Sequence, residues 1–145
     1  SVLQALTGET YRQRAERQYI NNLTPSCDSL SVCQGFYTFR QTGQANKILR
    51  IRRAANGNVT VREVNSQGNN VSGGLQSGIR FEAGTNVFEL IFTAGSLNGR
   101  TVTFYDAGAN RNRKRWAALD ANGNREFLLI ERKNLGGTGA TGLGK

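Results

Sequence analysis

The sequence contains no histidine and no methionine, and it has only two cysteines and one proline. Without histidine, the chain lacks the commonest general base, the base of the usual catalytic triads and the commonest ligand of transition metals. Its carboxylates show no spacing that is distinctive of a paired acid–base site. We therefore expect a protein that is not an enzyme, that holds no metal and that uses no cofactor.

Long apolar runs are also missing. Phe127–Ile130 is typical of the longest ones, whereas a helix needs about 20 apolar residues to span a bilayer. The 145 residues fit one domain, and their net charge of +9 favours anionic partners, which include nucleic acid, anionic lipid and acidic protein. Asp120–Glu126 alternates oxygen-bearing side chains, but it is too short for a calcium loop and is typical of a turn.

The first part of the chain has a helical pattern. Tyr11, Ala15 and Tyr19 recur at four-residue steps and predict an amphipathic helix over Ser1–Leu23, which Pro25 ends. The pattern begins without a capping residue and without a methionine. We therefore expect that a preceding segment has been removed.

The two cysteines lie close together in the sequence. Cys27 and Cys33 form a C-x5-C pair with no histidine to complete a zinc site, and this favours a local disulfide over two free thiols. A disulfide indicates an oxidising compartment outside the cytoplasm.

Beyond this pair the chain changes to short β-branched and aromatic segments between polar turns, which is typical of antiparallel strands. The pairs Asn56–Gly57, Asn98–Gly99 and Asn122–Gly123 each predict a tight hairpin turn with two positive φ angles. The glycine-rich stretch Asn65–Gly78 predicts a long loop between two hairpin groups. We thus predict a helix over 1–24, a β-rich domain over 25–135 and a flexible tail over 136–145.

The basic residues form clusters that are candidates for contact with nucleic acid. Arg111–Arg115 is the best candidate, because a polar connection can present its side chains to phosphates while Tyr105 or Trp116 stacks on a base. A solvated loop is the alternative. The candidate nucleic-acid-binding residues are Arg50, Arg52, Arg53, Arg111, Arg113, Lys114, Arg115 and Arg125.

The order of features from Ile79 to Phe127 resembles the minor pseudopilins of the GspH/FimT type, in the type IV pilin and type II secretion superfamily. The resemblance is carried by Leu90–Phe92, Ala94–Gly95, Val102–Asp106, Arg113–Arg115 and Gly123–Arg125. It implies an α+β fold in which the N-terminal helix packs on antiparallel sheets built from two hairpin groups. The Gly-Arg-x-Arg motif of DNA-binding members is matched here only by Arg125.

The resemblance also implies a function. The chain would be the periplasmic or extracellular part of a structural subunit that primes or caps a pilus or pseudopilus. Its partners would be other pilin or pseudopilin subunits and, through the missing segment, the inner membrane. The alternative function is a basic nucleic-acid-binding module, either a DNA-uptake minor pilin or an unrelated DNA-binding or virion protein.

Overall fold

A computed structural model describes residues 32, 34–56, 58–81 and 86–133. They form eight antiparallel strands, each hydrogen-bonded to the next, and the last strand pairs with the first to close a barrel. The strands are β1 (Gly35–Gln41), β2 (Lys47–Arg53), β3 (Val59–Val64), β4 (Gln76–Phe81), β5 (Val87–Ala94), β6 (Thr101–Asn110), β7 (Arg113–Leu119) and β8 (Arg125–Glu131).

Alternating side chains explain why these segments form a barrel wall. On β5, Phe88, Leu90 and Phe92 are buried, while the residues between them are only partly buried. Successive side chains of a strand point to opposite faces, so one set fills the interior and the other covers the outside. An eight-stranded barrel has an interior just wide enough to be filled by side chains.

Aromatic rings make up much of the interior. Phe88 packs edge-on against Trp116 at 4.9 Å between ring centroids and stacks on Phe104 at 5.3 Å. Phe39 stacks on Phe127 at 5.4 Å. Each such pair contributes about 0.5–1.5 kcal/mol beyond the burial of its area. The apolar core therefore ties together strands from all around the barrel.

Two loops cover one end of the barrel. Leu75, in the β3–β4 loop, and Leu97, in the β5–β6 turn, are both buried in the core. The loops meet at Gly95, where a Cβ atom would lie 2.9 Å from the backbone of Leu75. Gly95 also has a φ of +83°. Only glycine fits this contact, since any side chain would both clash and strain the backbone.

The turns differ from those that the sequence predicted. Strands do pair across Asn98–Gly99 and Asn122–Gly123, but only the glycine of each pair has a positive φ. The turn with two positive φ angles is instead Arg111–Asn112, between β6 and β7. Its values of 53° and 63° are uncommon for residues other than glycine.

The predicted α+β fold is wrong, and with it the resemblance to minor pseudopilins. The pilin function that this resemblance implied thereby loses its support from the fold. The described residues contain no helix, and the closed barrel leaves no separate hairpin groups. β3 and β4 pair across the loop that was expected to divide them, and β8 returns to β1. The predicted helix over Ser1–Leu23 lies outside the described residues.

Candidate functional site

The outer wall of the barrel has two regions of different chemistry. The threonine face is the outside of β4, β5 and β6, where Thr93, Thr101 and Thr103 are exposed. The arginine face is the outside of β7, β8, β1, β2 and β3. Strand alternation and register place the following side chains there: Arg40, Arg50, Arg52, Arg62, Arg113, Arg115 and, just after β8, Arg132.

The strand register places several of these arginines in one row across the wall. Arg50 on β2 lies directly opposite Arg62 on β3 and, on its other side, opposite Phe36 on β1. The backbone amide of Arg132 donates to the carbonyl of Phe36 at 2.9 Å, which brings Arg132 into the same row. Arg113, on β7, occupies the next position. The row runs perpendicular to the strands, which are about 4.8 Å apart, so Arg132 and Arg50 on the two sides of Phe36 are separated by about 10 Å.

Ion pairs mark the difference between the arginine face and the rest of the barrel. Arg80 contacts Glu89 at 2.6 Å on the threonine face, and Arg100 binds Glu126 with two nitrogens at 2.9 and 3.1 Å. No arginine of the arginine face forms an ion pair with a carboxylate of the described residues. Positive charge is therefore neutralised in pairs elsewhere and left uncompensated on this face.

The pKa of Arg50 is affected by the positive charges around it. Burial, and then the charges of Arg52 and Arg62, lower the pKa of Arg50 from its ordinary value. Its guanidinium donates to the carbonyl of Gly68 at 3.5 Å and to Oδ1 of Asn70 at 3.0 Å. These neutral acceptors orient the side chain without removing its charge.

A cleft of about 440 Å³ lies at the β7 end of the arginine face. Leu128 and Ile130 on β8 line its middle, between the arginines of β7 and Arg40 of β1. Arg115 is fixed there, because its guanidinium donates to the carbonyl of Ala107 at 3.2 Å. The lining residues are Arg40, Asn110, Arg111, Arg113, Arg115, Leu128 and Ile130.

Lys114 differs from the other predicted basic residues because it points inward. Its ammonium contacts Asp106 at 2.5 Å and lies 4.9 Å from the centre of the Trp116 ring. The hydrogen bond from Lys114, with one from the amide of Gly108, holds the pKa of Asp106 below its ordinary value. Trp116 is buried inside the barrel, so its ring has no outer surface on which a base could stack.

The other predicted basic residues lie in different places. Arg111, Arg113 and Arg115 reach the cleft, and Arg50 and Arg52 lie on β2, three strands from β7 around the wall. Arg125 is exposed at the start of β8, whereas the register gives Arg53, the last residue of β2, the inward direction. Arg40, Arg62 and Arg132 also lie on the arginine face, although their sequence context did not predict a site there. Arg40 and Arg62 follow the buried residues Phe39 and Val61, but only the barrel register brings them to this face.

No match to this chain was found among protein-family models, curated proteins or solved structures.

Other predicted features lie partly within the described residues 32, 34–56, 58–81 and 86–133. Asp120 has a turn role, since its Oδ1 accepts from the amides of Asn122 at 2.9 Å and Asn124 at 3.0 Å. Within those ranges there is no cluster of metal-ligating side chains and no helix that could span a membrane. The proposed disulfide between Cys27 and Cys33 lies outside them and stays a prediction.

Proposed function

We propose that this chain is a binding protein without catalytic activity and that its arginine face binds the phosphate backbone of nucleic acid. The observation that carries the proposal is the segregation of charge on the barrel wall. Arginines without a carboxylate partner share one face, while Arg80 and Arg100 are paired elsewhere. Such a face attracts polyanions and would release their counterions on binding.

The row of arginines supports an extended partner over a small anion. Arg113, Arg132, Arg50 and Arg62 are spread over five neighbouring strands, with Phe36 between Arg132 and Arg50, so an extended backbone that wraps around the barrel can contact them in turn. Arginine presents a planar set of donors that suits phosphate oxygens. Contacts of this kind carry no base sequence, so binding should be largely independent of sequence.

The location of the protein is a separate matter. The predicted periplasmic or extracellular location stays a prediction, and it now depends on the expected disulfide between Cys27 and Cys33.

A salt titration with matched variants tests the proposal. Arg40, Arg113 and Arg115 are replaced by alanine in one variant, and Thr93, Ser96 and Thr101, all exposed, are replaced by glutamate in the other. Both variants lower the net charge by three units. Fluorescence anisotropy with a labelled single-stranded oligonucleotide is recorded at several salt concentrations.

The expected result is a steep loss of affinity with salt for the wild type and for the threonine-face variant. The log–log slope of the alanine variant should be flatter by about 2, since each phosphate contact on a single strand contributes about 0.7. Equal slopes for both variants would show that total charge, and not the arginine face, governs binding. Binding to vesicles of anionic lipid but not to any oligonucleotide would assign the face to membranes and refute the proposal.

A further inference from the structure

The cleft on the arginine face combines two kinds of surface that a site for phosphate alone would not need. Its rim is cationic, with Arg113 and Arg115 on one side and Arg40 on the other. Between these arginines lie the aliphatic side chains of Leu128 and Ile130, both only partly buried. A ligand that fits both surfaces carries an anion joined to a flat, weakly polar group.

We infer that this cleft holds one unpaired nucleobase on Leu128 and Ile130 while the surrounding arginines hold its flanking phosphates, so that the protein prefers single-stranded nucleic acid to duplex. The inference rests on the proposed function and names the form of the nucleic acid. β7 and β1 are separated by β8, which leaves about 10 Å between the strands that carry the two rims. A single base ring fits this width, and the cleft volume lies within the range of small-ligand sites.

Duplex nucleic acid cannot use the cleft in this way. Its bases are paired and stacked inside the helix, so only phosphates would reach Arg113 and Arg115. Placing a base on Leu128 would require unpairing and flipping it, at a cost of a few kcal/mol. Single strands avoid this cost because their bases are free to turn outward, as in other single-strand-binding proteins.

The site differs from the usual single-strand platform in having no aromatic ring among its lining residues. The base would lie on aliphatic side chains, with the fixed guanidinium of Arg115 beside it. A base stacked on an aromatic side chain contributes about 1–3 kcal/mol, and an aliphatic surface should contribute less. We therefore expect a modest gain in affinity from the bound base and little selection among bases.

The test compares ligands of one length that differ in the presence of bases, in strandedness or in the sugar. A short oligothymidine, an abasic oligonucleotide of the same length and a duplex of the same length are titrated against the wild type at one low salt concentration. The ribonucleotide form of the oligothymidine is a fourth ligand, which distinguishes RNA from DNA as the source of the strand. Oligothymidine should bind about fivefold more tightly than the abasic strand.

Two variants locate the effect. Replacing Leu128 and Ile130 together by serine should lower the affinity for oligothymidine to that for the abasic strand. The affinity for the abasic strand should not change. Leu119→Ser is the matched control, because Leu119 is also on the outside of the barrel, is 49% exposed and does not line the cleft. This control should keep the fivefold difference.

The outcomes separate the inference from the proposed function. Equal affinity of the wild type for the normal and abasic strands, or binding to duplex at least as tight as to the single strand, overturns the inference while phosphate binding stands. Failure of every oligonucleotide to bind at low salt overturns both. If the double serine variant does not fold, the comparison of ligands on the wild type still decides.

Discussion

The arginine face and the threonine face lie on opposite parts of one barrel wall, and they handle charge in opposite ways. On the threonine face, Arg80 is held by Glu89. On the arginine face, Arg50 on β2 is the register partner of Arg62 on the adjacent strand β3, and no carboxylate of the described residues lies between them. Like charges in directly opposed positions destabilise a sheet. The comparison therefore separates paired charges, which stabilise the fold, from opposed like charges, which cost stability and which we propose to bind nucleic acid.

The same contrast occurs within a single strand. Arg113, Lys114 and Arg115 are consecutive on β7, yet Lys114 is 8% exposed and bound to Asp106, while Arg113 is exposed at the cleft. Strand alternation sends neighbours to opposite sides of the wall. Substitutions on this one strand can thus test a paired, buried cation and an unpaired, exposed one separately.

The largest effect is expected for a charge that serves the fold. Asp106→Ala should lower the free energy of unfolding by about 2 kcal/mol, because it leaves the ammonium of Lys114 buried without its partner. The value is less than for a fully buried pair because Asp106 is 27% exposed. Urea denaturation, monitored by tryptophan fluorescence, measures the change in the free energy of unfolding.

Lys114→Met is the control for this prediction. It removes the buried charge together with its desolvation penalty and leaves Asp106 in contact with water, so it should cost less than Asp106→Ala. The salt dependence of oligonucleotide binding should stay the same in both variants. A larger loss for Lys114→Met would show that the carboxylate, and not the ammonium, is the group that needs the pair.

The Asp106–Lys114 ion pair should also make the stability of the fold depend on pH, and this effect should be smaller than that of Asp106→Ala. The pKa of Asp106 in the fold lies below its ordinary value of 3.8, chiefly through the hydrogen bond from Lys114. A carboxyl with a lowered pKa stabilises the fold fully above its unfolded pKa, and this contribution is lost as pH falls through the folded pKa.

The wild type should therefore lose more stability than Asp106→Asn between about pH 5 and pH 2. Thermal unfolding of both proteins at several pH values measures the difference. Parallel curves would contradict a stabilising ion pair at this site, since the variant has no carboxyl to protonate.

The sequence predicted much of the strand content but not its arrangement. The apolar alternation of Phe88, Leu90 and Phe92 predicted a strand, and pairing across Asn98–Gly99 and Asn122–Gly123 is confirmed. Period-two patterns say which residues share a face, but not which strands are neighbours. The barrel closes where β8 pairs with β1, and these two strands are far apart in the sequence. No local sequence pattern can predict such a pairing.

The candidate site was predicted in part for the same reason. Adjacent basic letters drew attention to Arg111–Arg115, but the turn at Arg111–Asn112 was missed because its positive φ angles occur at residues other than glycine. Without that turn, the sequence predicts a loop where β7 begins, and it predicts that Lys114 points outward with its neighbours. Arg40 and Arg62 were missed because each is isolated in the sequence and joins the arginine face only through the register.

The smallest effect is expected at Arg62, where stability and binding should change in opposite directions. Arg62→Glu places a carboxylate directly opposite Arg50, which now faces a like charge and has a lowered pKa through burial, Arg52 and Arg62. An opposite-charge pair across a sheet contributes roughly 0.2–1 kcal/mol, so the variant should unfold at a slightly higher urea concentration than the wild type. Its affinity for a single-stranded oligonucleotide should fall at the same time, because a cation of the arginine row has become an anion.

Arg62→Gln is the control, since it removes the repulsion without adding a pair. Its stability and its oligonucleotide affinity should both lie between those of the wild type and Arg62→Glu. If Arg62→Glu lowers stability, the repulsion between Arg50 and Arg62 is already screened by solvent. If it leaves oligonucleotide affinity unchanged, the row ends before β3 and the binding surface is limited to the strands around the cleft.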